Sequence, residues 1–234
     1  MFKTKSASSS ILNSAFKISE LKKALNKCRN TAPGQDLLCY EMFRHLSLSS
    51  KEFLVKYFNK IWSCGILPSS WKHSIIVPIL KPGKVKSDPA SYRPIALTSN
   101  LCKLYERMIV YRLQWFLEKK GLLNINQSGF RKKRRCLDQL LRLSDDILKG
   151  FGQRYCTLAV FLDFEKAYDM IWRNGVLYKL HLLGVDGQLF NWIKSFLESR
   201  TFQVRVGSTL SDVFNLLNGV PQGQLLALCY SLLQ

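Results

Sequence analysis

The 234 residues carry 35 Lys and Arg against 16 Asp and Glu, a formal net charge of +19 and a pI near 9.8. With 47% hydrophobic residues the chain can bury a core, which excludes a disordered polyelectrolyte, and its charge makes nucleic acid the natural partner. Seven scattered cysteines without a C-x-x-C pair argue against a disulfide framework or zinc site, and no apolar run reaches transmembrane or signal-peptide form. The expectation is an intracellular protein, nuclear or cytoplasmic, with no membrane partner.

Residues 1–15 open on a Ser-rich stretch and are expected to be poorly ordered. Ile18, Leu21, Leu25 and Cys28 then recur at helical spacing. A second helix is marked by Ser49 and Glu52 as a capping-box pair. It carries Phe53, Leu54, Tyr57, Phe58, Ile61 and Trp62 on its buried side and stops at Gly65. The run from Trp71 to Leu80 is rich in β-formers and closes at Pro82-Gly83. Ser91 to Leu97 leads into a long amphipathic helix of Leu101, Leu104, Tyr105, Met108, Leu113 and Phe116, stopped near Gly121.

Lys81, Lys84 and Arg93 lie on adjoining turns and either decorate a solvated surface or face phosphate. The basic run Arg131, Lys132, Lys133, Arg134 and Arg135 reads as a solvated face or a backbone-binding edge, and it also matches a nuclear-targeting pattern.

Tyr155 to Leu162 is an apolar, β-prone run that reads as a fully buried strand, with Asp163 at its exit. A carboxylate so held is a candidate ligand for a divalent metal, with a structural or capping role as the plain alternative. Beyond it, Val176, Leu177, Leu180 and Leu183 end at Gly184, and a buried helix follows from Leu189 to Leu197. An alternating strand, Thr201 to Val206, then turns at Gly207-Ser208 into a returning segment through Phe214.

The blocks, taken in order, resemble the reverse transcriptase domain of non-LTR, LINE-like retrotransposons, and the jockey-like group in particular. The resemblance runs from about Phe16 to Gly223. It rests on Ala32-Pro33-Gly34, Trp71-Lys72, Lys81-Pro82-Gly83-Lys84, Ser91-Tyr92-Arg93-Pro94-Ile95 and Gln127-Ser128-Gly129-Phe130-Arg131, and then on Leu162 to Asp169 and Gly219-Val220-Pro221-Gln222-Gly223. It implies an RNA-directed DNA polymerase that adds dNMP from dNTP to a DNA primer on an RNA template. Asp163 would be the first metal-binding and catalytic carboxylate, for Mg²⁺ or Mn²⁺, with no small-molecule cofactor. Phe164 and Glu165 would lend backbone groups to the triphosphate, Tyr168 would be the steric gate, and Gln222 would position sugar and template. Lys81 and Arg93 would neutralise the triphosphate. Lys84 and residues 131–135 would hold nucleic acid. The family's alternative is a basic nucleic-acid-binding remnant without chemistry.

The fold implied is α+β, with right-hand polymerase fingers over residues 16–154, a partial palm over 155–223 and no thumb. Two metals about 3.5–4 Å apart need more than one carboxylate, yet no residue after Gly223 is acidic, so the chain by itself is expected to be inactive. Residues 224–234 do not match the family's block in frame. Codons chosen for them give Ser-Val-Ile-Ser-Pro-Leu-Leu-Phe when shifted by one base, so a frameshift after Gly223 is expected. An unpaired strand edge and an open apolar face should follow, with poor solubility.

Overall fold

The computed structural model describes residues 10–163 and 169–219. The described helices are α1 (Ser10–Asn13), α2 (Ile18–Leu25), α3 (Tyr40–His45), α4 (Leu48–Cys64), α5 (Asn100–Lys119), α6 (Cys136–Gly152), α7 (Arg173–Leu182) and α8 (Gly187–Leu197). The strands are β1 (His73–Leu80), β2 (Tyr92–Leu97), β3 (Thr201–Val206), β4 (Thr209–Leu210) and β5 (Phe214–Asn215). This is a mixed α+β architecture, and none of the described helices is long and apolar enough to cross a membrane.

Helix α5 forms because apolar residues recur every three or four positions and Ser99 caps it, its hydroxyl accepting from the Cys102 N–H at 3.2 Å. It is the most buried of the described helices, and α1, α2, α4 and α8 pack around it. Tyr105 stands at the centre. Its ring stacks on Phe58 at 4.5 Å, meets Trp192 edge-on at 5.7 Å, and its hydroxyl donates to the Phe58 carbonyl at 3.0 Å. Two turns further along, Arg112 is buried and forks onto Glu20 at 2.8 and 2.9 Å. The same guanidinium donates to the carbonyls of Leu12, Ser14 and Ala15 and lies 3.7 Å from the Phe16 ring.

That contact fixes the path of residues 12–16. Leu12 is buried. Asn59 accepts from the Phe16 N–H and donates to the Phe16 carbonyl. Asn13 accepts from the Leu189 N–H at 3.0 Å, capping α8 from a distant part of the chain where Asp186 at the N-cap supplies no side-chain bond.

The sheet runs β2-β1-β3-β4, with β5 also paired to β3. β1 and β2 are antiparallel from Ile75↔Leu97 to Leu80↔Tyr92, whereas parallel pairing of β1 with β3 stops at Ile76↔Val204. Pro78 accounts for the stop. Lys81 donates to the Ser91 carbonyl, so odd-numbered β1 residues bond β2 and even-numbered ones face β3, and Pro78 has no N–H to offer there. Beyond that point β1 and β2 continue as a two-stranded ribbon.

Several expectations are corrected. Residues 155–162 form no strand: Leu158 and Phe161 are 89% and 83% exposed, and among the described residues no strand pairs with the run. An apolar, β-prone sequence becomes a strand only where a neighbour satisfies its backbone. The cap of α4 is Ser47, which accepts from the Ser50 N–H at 3.1 Å, and not Ser49. The helix is therefore phased to bury Val55, Phe58, Ile61 and Trp62 while leaving Phe53 72% exposed and Tyr57 exposed. Helix α6 was not anticipated, and none of its residues is buried. Its Leu137, Leu140, Leu141, Leu148 and Phe151 face solvent. Gly65 ends α4 at a φ of 67°, where other residues are strained.

Glu106, buried on α5, has its carboxyl pushed up to about 8 by burial, against the opposing pull of Arg200, Lys103 and Arg107. Because the folded value lies above the ordinary one, its contribution to stability is complete below the unfolded pKa and is lost as pH rises through about 8. Glu106→Gln is expected to flatten stability across that window, measured by urea unfolding at a series of pH values. Arg112→Met is expected to lose about 3 kcal/mol in the same assay, because it strands a half-buried carboxylate and three carbonyls.

Candidate nucleotide and nucleic-acid interface

The β1–β2 ribbon carries the first cationic surface. Ile79 pairs with Arg93 and Lys81 lies two residues beyond Ile79, so Lys81 and Arg93 occupy one face of the ribbon on diagonal positions, about 7–8 Å apart at the backbone. The tip is braced from within. Lys81 donates its ammonium to the Ala90 carbonyl at 2.9 Å, Asp88 accepts from the Ala90 N–H at 2.9 Å, and Tyr92 donates its hydroxyl to the Lys86 carbonyl at 2.9 Å. Gly83 takes a φ of 71°, which the turn requires. Lys84 sits exposed in that turn and Arg93 is exposed on β2. An ammonium with donors to spare beside a planar guanidinium on a fixed ribbon suits the non-bridging oxygens of a polyphosphate.

The second surface is the segment between α5 and α6, and the structure divides its basic run. Arg131 turns inward: it forks onto Glu118 at 2.9 and 2.7 Å and donates to the carbonyls of Asn124 at 2.7 Å and Gln127 at 3.3 Å. The hydrogen bond from Arg131 holds the Glu118 carboxyl below the usual carboxylate range. Gln139 on α6 reaches back to the Asn126 carbonyl at 2.8 Å and the Ser128 hydroxyl at 2.6 Å. The loop is thus held from both sides, and Phe130 and Lys133 both sit at a φ of 58°. For a ring as bulky as phenylalanine this backbone costs of order 1–3 kcal/mol. Lys132 lies 5.3 Å from the Tyr111 ring centroid. Lys133 and Arg135 are exposed and Arg134 partly so.

Asp163 is exposed at the end of the unpaired 155–163 segment. Phe164, Glu165, Tyr168 and Gln222 lie outside the described residues. Among the described residues no hydrogen bond or ion pair joins Asp163 to either basic surface, and no three His, Cys, Asp or Glu gather as a metal cluster. The described donor set for a divalent ion is therefore a single carboxylate. Sequence reasoning passed over Tyr111, Trp115 and Lys119. They follow one another at four-residue spacing on α5, a stripe that could have been read once the buried residues were assigned to the opposite side.

An α+β frame with two fixed cationic surfaces is the kind of protein that handles polyanions. Residues 79–231 match the family described as reverse transcriptase (RNA-dependent DNA polymerase), and the chain belongs to that family. It is 36% identical over 203 residues to the probable RNA-directed DNA polymerase from transposon X-element of Drosophila melanogaster, covering 86% of this chain and 22% of that protein. It is 37% identical over 202 residues to the corresponding probable polymerase from transposon BS of the same organism, with the same coverage. Over 214 residues it is 36% identical to the RNA-directed DNA polymerase from mobile element jockey of Drosophila melanogaster, covering 91% of this chain and 23% of that protein. The chain thus spans between a fifth and a quarter of the length of these relatives. The likeness to the jockey-like group drawn from the sequence blocks is borne out.

Arg131→Ala is expected to free the loop. Amide exchange over residues 124–131 should rise about tenfold or more, while global stability falls by under about 1 kcal/mol, because the pair is near the surface. Arg131→Lys should not restore protection, since an ammonium cannot bridge both Glu118 oxygens and two carbonyls.

Proposed function

We propose that this chain is the nucleotide- and template-gripping part of an RNA-directed DNA polymerase of a non-LTR retrotransposon, comprising fingers and part of the palm. The observation that carries the reading is the ribbon register, which sets Lys81 and Arg93 on one face of a braced tip within the region that matches the family. In this reading Lys81 and Arg93 bind and neutralise the triphosphate of an incoming dNTP. Asp163 holds a divalent ion, Mg²⁺ or Mn²⁺, as reverse transcriptases use. When bound, that metal lowers the pKa of the primer 3′-hydroxyl and neutralises charge on the phosphates. Phe164 and Glu165 line the triphosphate through their backbone, and Tyr168 excludes a ribose 2′-hydroxyl by bulk. Gln222 orients sugar and template. Lys84 and residues 132–135 follow the phosphates of the RNA template and DNA primer. The site of action is intracellular, nuclear or cytoplasmic.

This chain, which spans 22% of the length of a relative named a probable RNA-directed DNA polymerase, is proposed to bind primer, template and nucleotide. Binding of a labelled RNA–DNA primer-template should weaken steeply with salt, and Lys81→Ala with Arg93→Ala should shallow the slope of log K against log salt by about 1–2. Asp163→Ala should leave that affinity unchanged. Absence of salt-dependent binding would overturn the reading.

A further inference from the structure

Tyr111, Trp115 and Lys119 lie one turn apart along α5, so they share one stripe of its surface, opposite the buried Leu113 and Leu117. Beside this stripe runs the loop that carries Phe130, and between them lies an open groove of about 390 Å³ lined by Trp115, Phe130, Leu123, Lys119 and Lys132. Trp115 is 42% exposed and Phe130 48%. Three ammonium groups stand over the rings: Lys119 at 4.7 Å from Trp115, with Lys132 at 5.3 Å and Lys23 at 5.5 Å from Tyr111.

Packing alone does not explain this arrangement. Phe130 occupies a strained backbone position, held there by the Arg131 bonds to Glu118, Asn124 and Gln127. The strain leaves half its ring in water, where a buried aromatic would have gained more. The acid in the groove, Glu118, is matched by Arg131 and so does not repel an anion. Aromatic faces interleaved with lysines, on a chain of net charge +19, are what an unpaired base and its phosphate require. A duplex keeps its base faces stacked inside and offers this groove nothing to sandwich. A protein partner seated on exposed aromatics would favour a less cationic rim.

We infer that the groove between Trp115 and Phe130 is a stacking site for an unpaired nucleobase of a single-stranded polynucleotide, with Lys119 and Lys132 taking the flanking phosphates. The inference rests on the nucleic-acid reading above and adds to it a place and a mode of contact outside the nucleotide site. Stacking uses the ring face, which every base presents, so the stacking contact itself does not select a base.

The test is fluorescence anisotropy of the full chain with short oligoadenylate, as RNA and as DNA, and with a strand of abasic residues. Trp115→Ala should weaken oligoadenylate binding about tenfold at an unchanged salt slope, with Trp115→Phe restoring most of it and the abasic strand insensitive to either change. Loss with both strands assigns the site to any single strand, and loss with RNA alone assigns it to the template. If the wild type binds oligoadenylate and Trp115→Ala binds it equally, or if the abasic strand shows the same loss, the stacking site is refuted while the nucleic-acid reading stands. If the wild type binds no strand, the wider reading fails. Should Trp115→Ala not fold, photocrosslinks from a halogenated base to the wild type must map to residues 111–132, and crosslinks confined to other segments overturn the inference.

Discussion

A single guanidinium, that of Arg112, joins parts of the chain that are remote in sequence. It reaches the Glu20 carboxylate on α2 and the carbonyls of Leu12, Ser14 and Ala15, and it lies over Phe16. Burying a cation is costly unless its donors and its charge are met together. Here they are, and the geometry that meets them also sets the path of residues 12–16. Asn13 then caps α8 and Phe16 joins the aromatic cluster at 4.9 Å from Trp62 and 5.5 Å from Tyr105. The scaffold that presents both basic surfaces therefore leans on one polar contact that ties the N-terminal segment to α2 and α5.

The two cationic surfaces are held by different means. The ribbon relies chiefly on strand pairing, with side-chain bonds from Lys81, Asp88 and Tyr92 at its tip, whereas the loop relies on a bidentate side-chain pair near the surface. A ladder of amide bonds is insensitive to pH and salt. A surface carboxylate–guanidinium pair weakens with salt and, because the Glu118 carboxyl titrates below its usual range, is lost only as pH falls through that lowered value. Ionic conditions will thus act on the loop before they act on the ribbon.

Much of the frame was legible from residues alone. The phase of α5, the Pro82-Gly83 turn, the Gly65 stop and the turn at Gly207-Ser208 each follow from local rules, and the structure places them where those rules say. What failed depended on something not local. Residues 155–162 have strand chemistry but no described neighbour, and three serines near the start of α4 offered several caps, of which tertiary packing selected Ser47. Arg112 reads as one more solvated arginine until the segment it binds is known. Of the candidate site, the placement of Lys81 and Arg93 on one ribbon could be anticipated from the turn between them. The inward turn of Arg131 could not, because its partner Glu118 lies thirteen residues back on another element.

Pro78 gives the sheet a mechanical character that its strand order does not reveal. Because the third strand can grip the first only as far as Ile76, the outer half of the ribbon is a cantilever anchored at one end. Load on the tip is carried by the β1–β2 ladder and is not shared with β3. Such a beam keeps its two basic side chains at fixed spacing from each other while the pair as a whole can swing.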